Sequence, residues 1–145
     1  MEVELYFDGA YRSYYDKEEY GCGWLIKENG KTILQRSFGG VYSTKGSNNL
    51  AEYDAVYDAL KFIANSEMTF DRLTIYGDSR LVINQLKGHW MIREGRYKET
   101  AIKVMEMLQQ DFHNNVNFKW VRRESNIEAD TLSKEGIKNK NRSNA

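Results

Sequence analysis

The chain has 145 residues, the size of one domain with its own core, and its 41% hydrophobic and 13% aromatic content excludes a disordered protein. The formal net charge of zero does not announce a polyanion binder, and the single cysteine, Cys22, excludes an internal disulfide framework and a thiolate zinc site. No apolar run approaches the roughly 20 residues of a membrane span, and Met1-Glu2-Val3-Glu4 lacks the form of a signal peptide, so a soluble, cytoplasmic protein with no membrane partner is expected.

Val3, Leu5 and Phe7 alternate with Glu2, Glu4, Tyr6 and Asp8, the period of a strand. The polar, tyrosine-rich link over 13–19 reads as a loop. Residues 21–27 and 31–42 read as two further strands, joined by the hairpin dipeptide Asn29-Gly30. From Asn49 the period changes: Val56, Ala59, Leu60 and Ile63 share one helical face. A short strand over 73–76 follows, then a short helix over 81–86, an irregular stretch over 88–95 and an amphipathic helix over 97–112. A fifth strand over 116–121 and a helix over 126–135 complete a domain spanning 1–137, and the Asn/Lys-rich 138–145 reads as a polar, flexible tail.

The order βββ-α-β-α-α-β-α predicts an α/β domain. Its five-stranded mixed sheet should have three antiparallel strands and then two parallel ones, with helices on both faces. Charge is distributed unevenly along it. Residues 1–60 carry 6 Lys/Arg against 10 Asp/Glu, and residues 87–145 carry 12 against 8. An anionic site beside a cationic track would give this pattern, and so would chance.

Four acids stand where structure explains them incompletely. Asp8 ends the first predicted strand, although Asp before Gly also makes turns. Glu52 shares the inward face of Val56, Ala59, Leu60 and Ile63, which a favourable helix dipole does not require. Asp78 follows the strand over 73–76 and would otherwise be a helix cap. Asp130 lies four residues after Asn126, on one helix face, where a solvated acid is the plainer reading. Converging carboxylates repel unless cations join them, and hard oxygen ligands suit Mg²⁺. Two such ions about 4 Å apart are a known device for phosphodiester cleavage. His89 and His113 have no metal-ligand spacing and read as surface residues, and Gly21-Cys22-Gly23 reads as a site of close strand packing.

Four segments then carry a resemblance. They are Tyr6-Phe7-Asp8-Gly9-Ala10, Ser47-Asn48-Asn49-Leu50-Ala51-Glu52-Tyr53, Ile75-Tyr76-Gly77-Asp78-Ser79, and Trp120-Val121 followed by Asn126-Ile127-Glu128-Ala129-Asp130. In order and spacing the chain resembles type 1 ribonuclease H over roughly residues 2–137. The resemblance implies that Asp8, Glu52, Asp78 and Asp130 hold two Mg²⁺ ions, which Mn²⁺ can replace, and that the chain cleaves the RNA strand of RNA–DNA hybrids to 3′-hydroxyl and 5′-phosphate ends; nothing in the sequence demands more than a monomer. It places Gly9, Ala10, Asn48, Asn49, Arg80, Trp90 and Asn126 among the substrate contacts. An amide suits a 2′-hydroxyl, because each both donates and accepts.

Three departures accompany it. The loop before Asp130 lacks the histidine of bacterial members, with Arg123 as the nearest stand-in. The basic protrusion is absent, leaving residues 89–96. Arg80 occupies a position where many members carry Gln. The other readings are the same fold acting on double-stranded RNA or a junction, and a non-catalytic nucleic-acid-binding domain. The latter would be expected to lack one of the four carboxylates.

Overall fold

The computed structural model describes residues 1–139. Strands β1 (Glu2–Tyr14), β2 (Lys17–Glu28) and β3 (Lys31–Tyr42) precede helix α1 (Asn48–Asn65). Strand β4 (Arg72–Gly77), helices α2 (Arg80–Leu86) and α3 (Lys98–Phe112), strand β5 (Val116–Trp120) and helix α4 (Ile127–Asn139) follow. The strands form one sheet in the order β3-β2-β1-β4-β5. The β1–β2 and β2–β3 pairs are antiparallel, and β1–β4 and β4–β5 are parallel. The mixed sheet is thus the expected one.

Two hairpins build its antiparallel half. Asn29 and Gly30 have φ of 53° and 76°, as a two-residue primed turn requires. The stretch over 13–19, expected as a loop, is a second hairpin, with Tyr15 and Asp16 at φ of 48° and 61°. Its strands run beyond the cover of the helices, so both faces are polar and the alternation that marks a half-buried strand is missing. Cross-strand pairs hold it instead: Tyr11 donates to Glu18, and Arg12 Nε donates to Glu19 Oε1 at 2.7 Å. Asp8 therefore lies in the middle of β1 and does not end it. The parallel pairing of β1 with β4 stops at Tyr6 and Tyr76, however, so Asp8 still stands at the carboxyl edge of the parallel half.

Helices cover both faces, and glycines set how closely. A β-carbon on Gly9 would lie 2.2 Å from the Ala51 carbonyl carbon in α1. On the opposite face, one on Gly21 would lie 2.0 Å from the Ser133 carbonyl oxygen in α4, the close packing expected of Gly21-Cys22-Gly23. Between α1, α3 and the sheet lies a core that includes Leu5, Phe7, Trp24, Tyr53, Leu60 and Ile75, each at most 1% exposed. Burying each of these large side chains contributes about 1.5–3 kcal/mol. The Trp24 indole needs a partner and donates to Asp58 Oδ2 at 2.8 Å, which fixes α1 against β2.

Helix ends bear directly on the site. Ser47 caps α1, its hydroxyl accepting from the Leu50 amide at 3.0 Å. Ser79 caps α2 through the Val82 amide at 3.2 Å. Neither Asn48 nor Asp78 is then needed as a cap. The last helix runs past Glu135 to Asn139, so Lys138 and Asn139 of the expected tail are helical and residues 140–145 lie outside the described residues.

Candidate active site

Three elements bring the acids together. Asp8 projects from β1 on the face of α4, Glu52 comes from the second turn of α1, and Asp78 follows β4. One carboxylate oxygen from each lies within 4.8 Å of the others. Asp8 and Glu52 are 6% and 8% exposed. They line a cleft of about 420 Å³ with Gly9, Ala10, Tyr11, Asn48, Asn49, Asp78, Ser79, Arg123, Asp130 and Lys134.

Each acid is held by a specific partner. The Ser133 hydroxyl donates to Asp8 Oδ2 at 2.9 Å. Asn126 Nδ2 donates to Asp78 Oδ2 at 3.3 Å and to the Phe7 carbonyl at 2.9 Å. The Trp120 indole donates to the Asp78 carbonyl at 3.0 Å, so β5 steadies the residue that follows β4. The Gly9 amide is a hydrogen-bond partner of Glu52. Asp130 lies outside the cluster of three but meets the Asp8 carboxyl side chain to side chain, helping to raise it, and pairs with Lys134, one turn on in α4, at 3.0 Å.

This crowding is electrostatically costly. Burial, then the charge of Asp78, pushes the Asp8 carboxyl up to about 7, against the smaller opposing effect of the Ser133 hydroxyl. Burial, then Asp8 and Asp78, holds the Glu52 carboxyl well above the usual carboxylate range. Glu52 Oε2 is fully buried without a hydrogen-bond partner. An unpartnered oxygen among three hard, mutually repelling carboxylates is what a divalent cation would satisfy, and these residues fit one.

The other expected site residues divide. Gly9, Ala10, Asn48, Asn49 and Arg123 do line the cleft. Asn126, expected to touch substrate, is 1% exposed with its amide nitrogen engaged by Asp78 and Phe7, so its burial leaves it a brace for the site. Arg80 does not line the cleft: its guanidinium lies 4.0 Å from the centre of the Trp120 ring. Trp90 is likewise outside the cleft, 48% exposed on the segment between α2 and α3. Ser133, Lys134, Trp120 and Tyr11 were missed. For Ser133 and Lys134 a signal existed, since they follow Asp130 by three and four residues in one helix.

A five-stranded mixed sheet with an acidic cluster at its parallel carboxyl edge defines a protein of the ribonuclease H-like fold, as the four motifs led us to expect. The chain belongs to the reverse transcriptase-like family, whose model matches residues 6–136. It is 31% identical over 135 residues to ribonuclease HI of Halobacterium salinarum, covering 93% of this chain and 64% of that protein. It is 30% identical over 142 residues to the uncharacterized protein YpeP of Bacillus subtilis, covering 92% of this chain and 58% of that protein. The chain thus spans less than two thirds of either relative. Among solved structures it is similar to LC11-RNase H1 in complex with RNA/DNA hybrid, with a TM-score of 0.80 and 26% identity over 94% of this chain and 96% of that one. The RNase H1 of Halobacterium salinarum gives a TM-score of 0.76 and 29% identity over 96% and 99%.

Proposed function

We propose that the chain is an endonuclease that hydrolyses the RNA strand of RNA–DNA hybrids, leaving 3′-hydroxyl and 5′-phosphate ends. The observation that carries this reading is the cluster of Asp8, Glu52 and Asp78 around the unpartnered Glu52 Oε2, in one cleft with Asn48 and Asn49. The resemblance of fold and sequence to proteins named as ribonucleases H, one of them seen with a hybrid, supports it.

Asp8, Glu52, Asp78 and Asp130 would hold Mg²⁺, with Mn²⁺ as a substitute. When bound, such ions supply charge stabilisation at the phosphate and an activated water. The remaining work falls to the chain. Ser133 and Asn126 orient Asp8 and Asp78 and share their charge through hydrogen bonds. Asn48 and Asn49, freed from capping by Ser47, present amides from the first turn of α1 to the RNA strand. Arg123, exposed in the short turn Arg123–Ser125, is placed to hold a phosphate but not to shuttle a proton, since its guanidinium stays charged.

The test is cleavage of labelled hybrid, double-stranded RNA and double-stranded DNA with and without Mg²⁺. Metal-dependent cleavage confined to the RNA of the hybrid is expected. Folded Asp78→Asn should lose about a thousand-fold in rate, equivalent to roughly 4 kcal/mol of transition-state stabilisation. Near-normal activity of that variant would remove the assignment of the site.

A further inference from the structure

Gln85, in the last turn of α2, is a polar side chain only 2% exposed. A buried amide is tolerated where its groups are paired, and here both ends are. Oε1 accepts from the Tyr53 hydroxyl at 2.7 Å. Nε2 donates to the Met91 carbonyl at 2.9 Å and to the Tyr97 hydroxyl at 3.0 Å. That hydroxyl also accepts from the Arg93 amide at 3.2 Å. The rings of Tyr53 and Tyr97 stack with centres 5.7 Å apart and planes 7° from parallel. A leucine or methionine would fill the same space without desolvating an amide. What the amide adds is direction, because its nitrogen binds the Met91 backbone and the hydroxyl that holds the Arg93 backbone.

Those backbones belong to the irregular stretch between α2 and α3. It carries Trp90 at 48% and Met91 at 76% exposure, beside the exposed cations Arg93 and Arg96. Large aromatic surface interleaved with Arg is the composition of a nucleic-acid contact. The stretch has no helix or strand to stiffen it. His89 and Trp90 are tied back through the Asn84 carbonyl at 2.9 and 3.2 Å. Gln85 and Tyr97 then tie Met91 and Arg93.

We propose that Gln85 is a positioning residue for substrate. Through Met91, and through Tyr97 to Arg93, it holds residues 89–96 as a preformed basic and aromatic surface, so that the hybrid meets this surface without having to order it. This rests on the reading of the chain as a hybrid nuclease. The surface lies outside the acidic cleft, so Gln85 governs substrate affinity and leaves turnover alone.

Gln85→Met keeps the length of the side chain and removes its amide. Tyr97→Phe keeps the stacked ring and removes the hydroxyl, and serves if the first variant does not fold. In each, KM for hybrid should rise about ten-fold with kcat within about two-fold of the original. The Kd measured in the cleavage-deficient Asp78→Asn background should rise in parallel. Hydrogen exchange at the Arg93 amide, which donates to the Tyr97 hydroxyl, should accelerate. Because Gln85 acts through the segment, Gln85→Met combined with Trp90→Ala should cost less than the product of the two single losses. An unchanged KM, a loss confined to kcat, or full multiplication with Trp90→Ala would each overturn the proposal, as would unchanged exchange at the Arg93 amide. Failure of the unaltered chain to cleave any hybrid would strike the functional reading instead, and the exchange rates would still decide whether Gln85 fixes the segment.

Discussion

The side-chain amide of Asn126 reaches Asp78 Oδ2 at 3.3 Å, joining the turn before α4 to the end of β4. The same nitrogen donates to the Phe7 carbonyl at 2.9 Å, one residue before Asp8. A single buried amide therefore sets the spacing between two strands at the point where each delivers a carboxylate.

Asn126→Ala should consequently lower both stability and activity. It leaves the Phe7 carbonyl without this donor in a buried setting, a loss of about 1–3 kcal/mol. It also frees Asp78 to turn. Thermal melting and hybrid cleavage of the purified variant measure the two effects. Unchanged melting would show that another donor takes over the carbonyl.

The acidic cluster makes stability depend on pH in an unusual direction. The Asp8 carboxyl is pushed up to about 7 in the fold from an ordinary value of 3.8, and Glu52 is also raised. Between those values the folded chain holds a proton that the unfolded chain releases, so stability falls as pH rises through the window. Without divalent metal, the melting temperature should be higher at about pH 5.5 than at about pH 7.5. Added Mg²⁺ should raise it at the upper pH and much less at the lower, where protons compete for the same oxygens. Asp8→Asn should flatten the metal-free profile. A metal-free melting temperature that climbs steadily with pH would mean that the carboxylates are not crowded in solution.

Much of this site was legible because each acid broke a local rule. Glu52 fell on an apolar helix face, and the structure buries it there. Asp8 and Asp78 were placed at the carboxyl edge of neighbouring strands, which the parallel pairing of β1 with β4 bears out, although Asp8 lies mid-strand. The β1–β2 hairpin was hidden because its tip extends past both helix layers and so lacks an apolar face to alternate. The resemblance sets Asn126 among the substrate contacts, and its burial against Phe7 and Asp78 is not legible from the sequence. Its position four residues before Asp130 fits a surface contact as well as a brace, and only the Phe7 carbonyl, 119 residues away in sequence, decides between them. Gln85 gave no signal, since a glutamine late in a short helix looks solvated until Tyr53, Met91 and Tyr97 are seen around it.

Arg123 and Arg122 separate phosphate holding at the cleft from general attraction. Arg123 lines the cleft and Arg122 does not. Arg123→Ala should therefore reduce turnover by about ten-fold or more, equivalent to roughly 1.4 kcal/mol, with a smaller effect on hybrid affinity. Arg122→Ala should leave kcat nearly unchanged and shift affinity modestly, by an amount that shrinks as salt is raised. Equal loss of kcat in the two variants would show that neither has a placed role.

Discrimination of RNA from DNA is expected to rest on Asn49. Ser47 supplies the cap of α1, so replacing Asn49 removes no helix-capping bond, and its loss should change stability by less than about 1 kcal/mol. Its amide lies in the same cleft as the three clustered acids, one turn from Glu52, where a 2′-hydroxyl of the bound strand would need both a donor and an acceptor. Asn49→Ala should cut hybrid cleavage about ten-fold or more, the order of one hydrogen bond to substrate. A chimeric strand with one deoxynucleotide at the contacted position makes the test specific. The unaltered chain should lose activity on that strand, while Asn49→Ala should lose little further, because the contact is already gone. If the substitution and the missing hydroxyl multiply independently, Asn49 touches some other group and discrimination of the sugar lies elsewhere in the cleft.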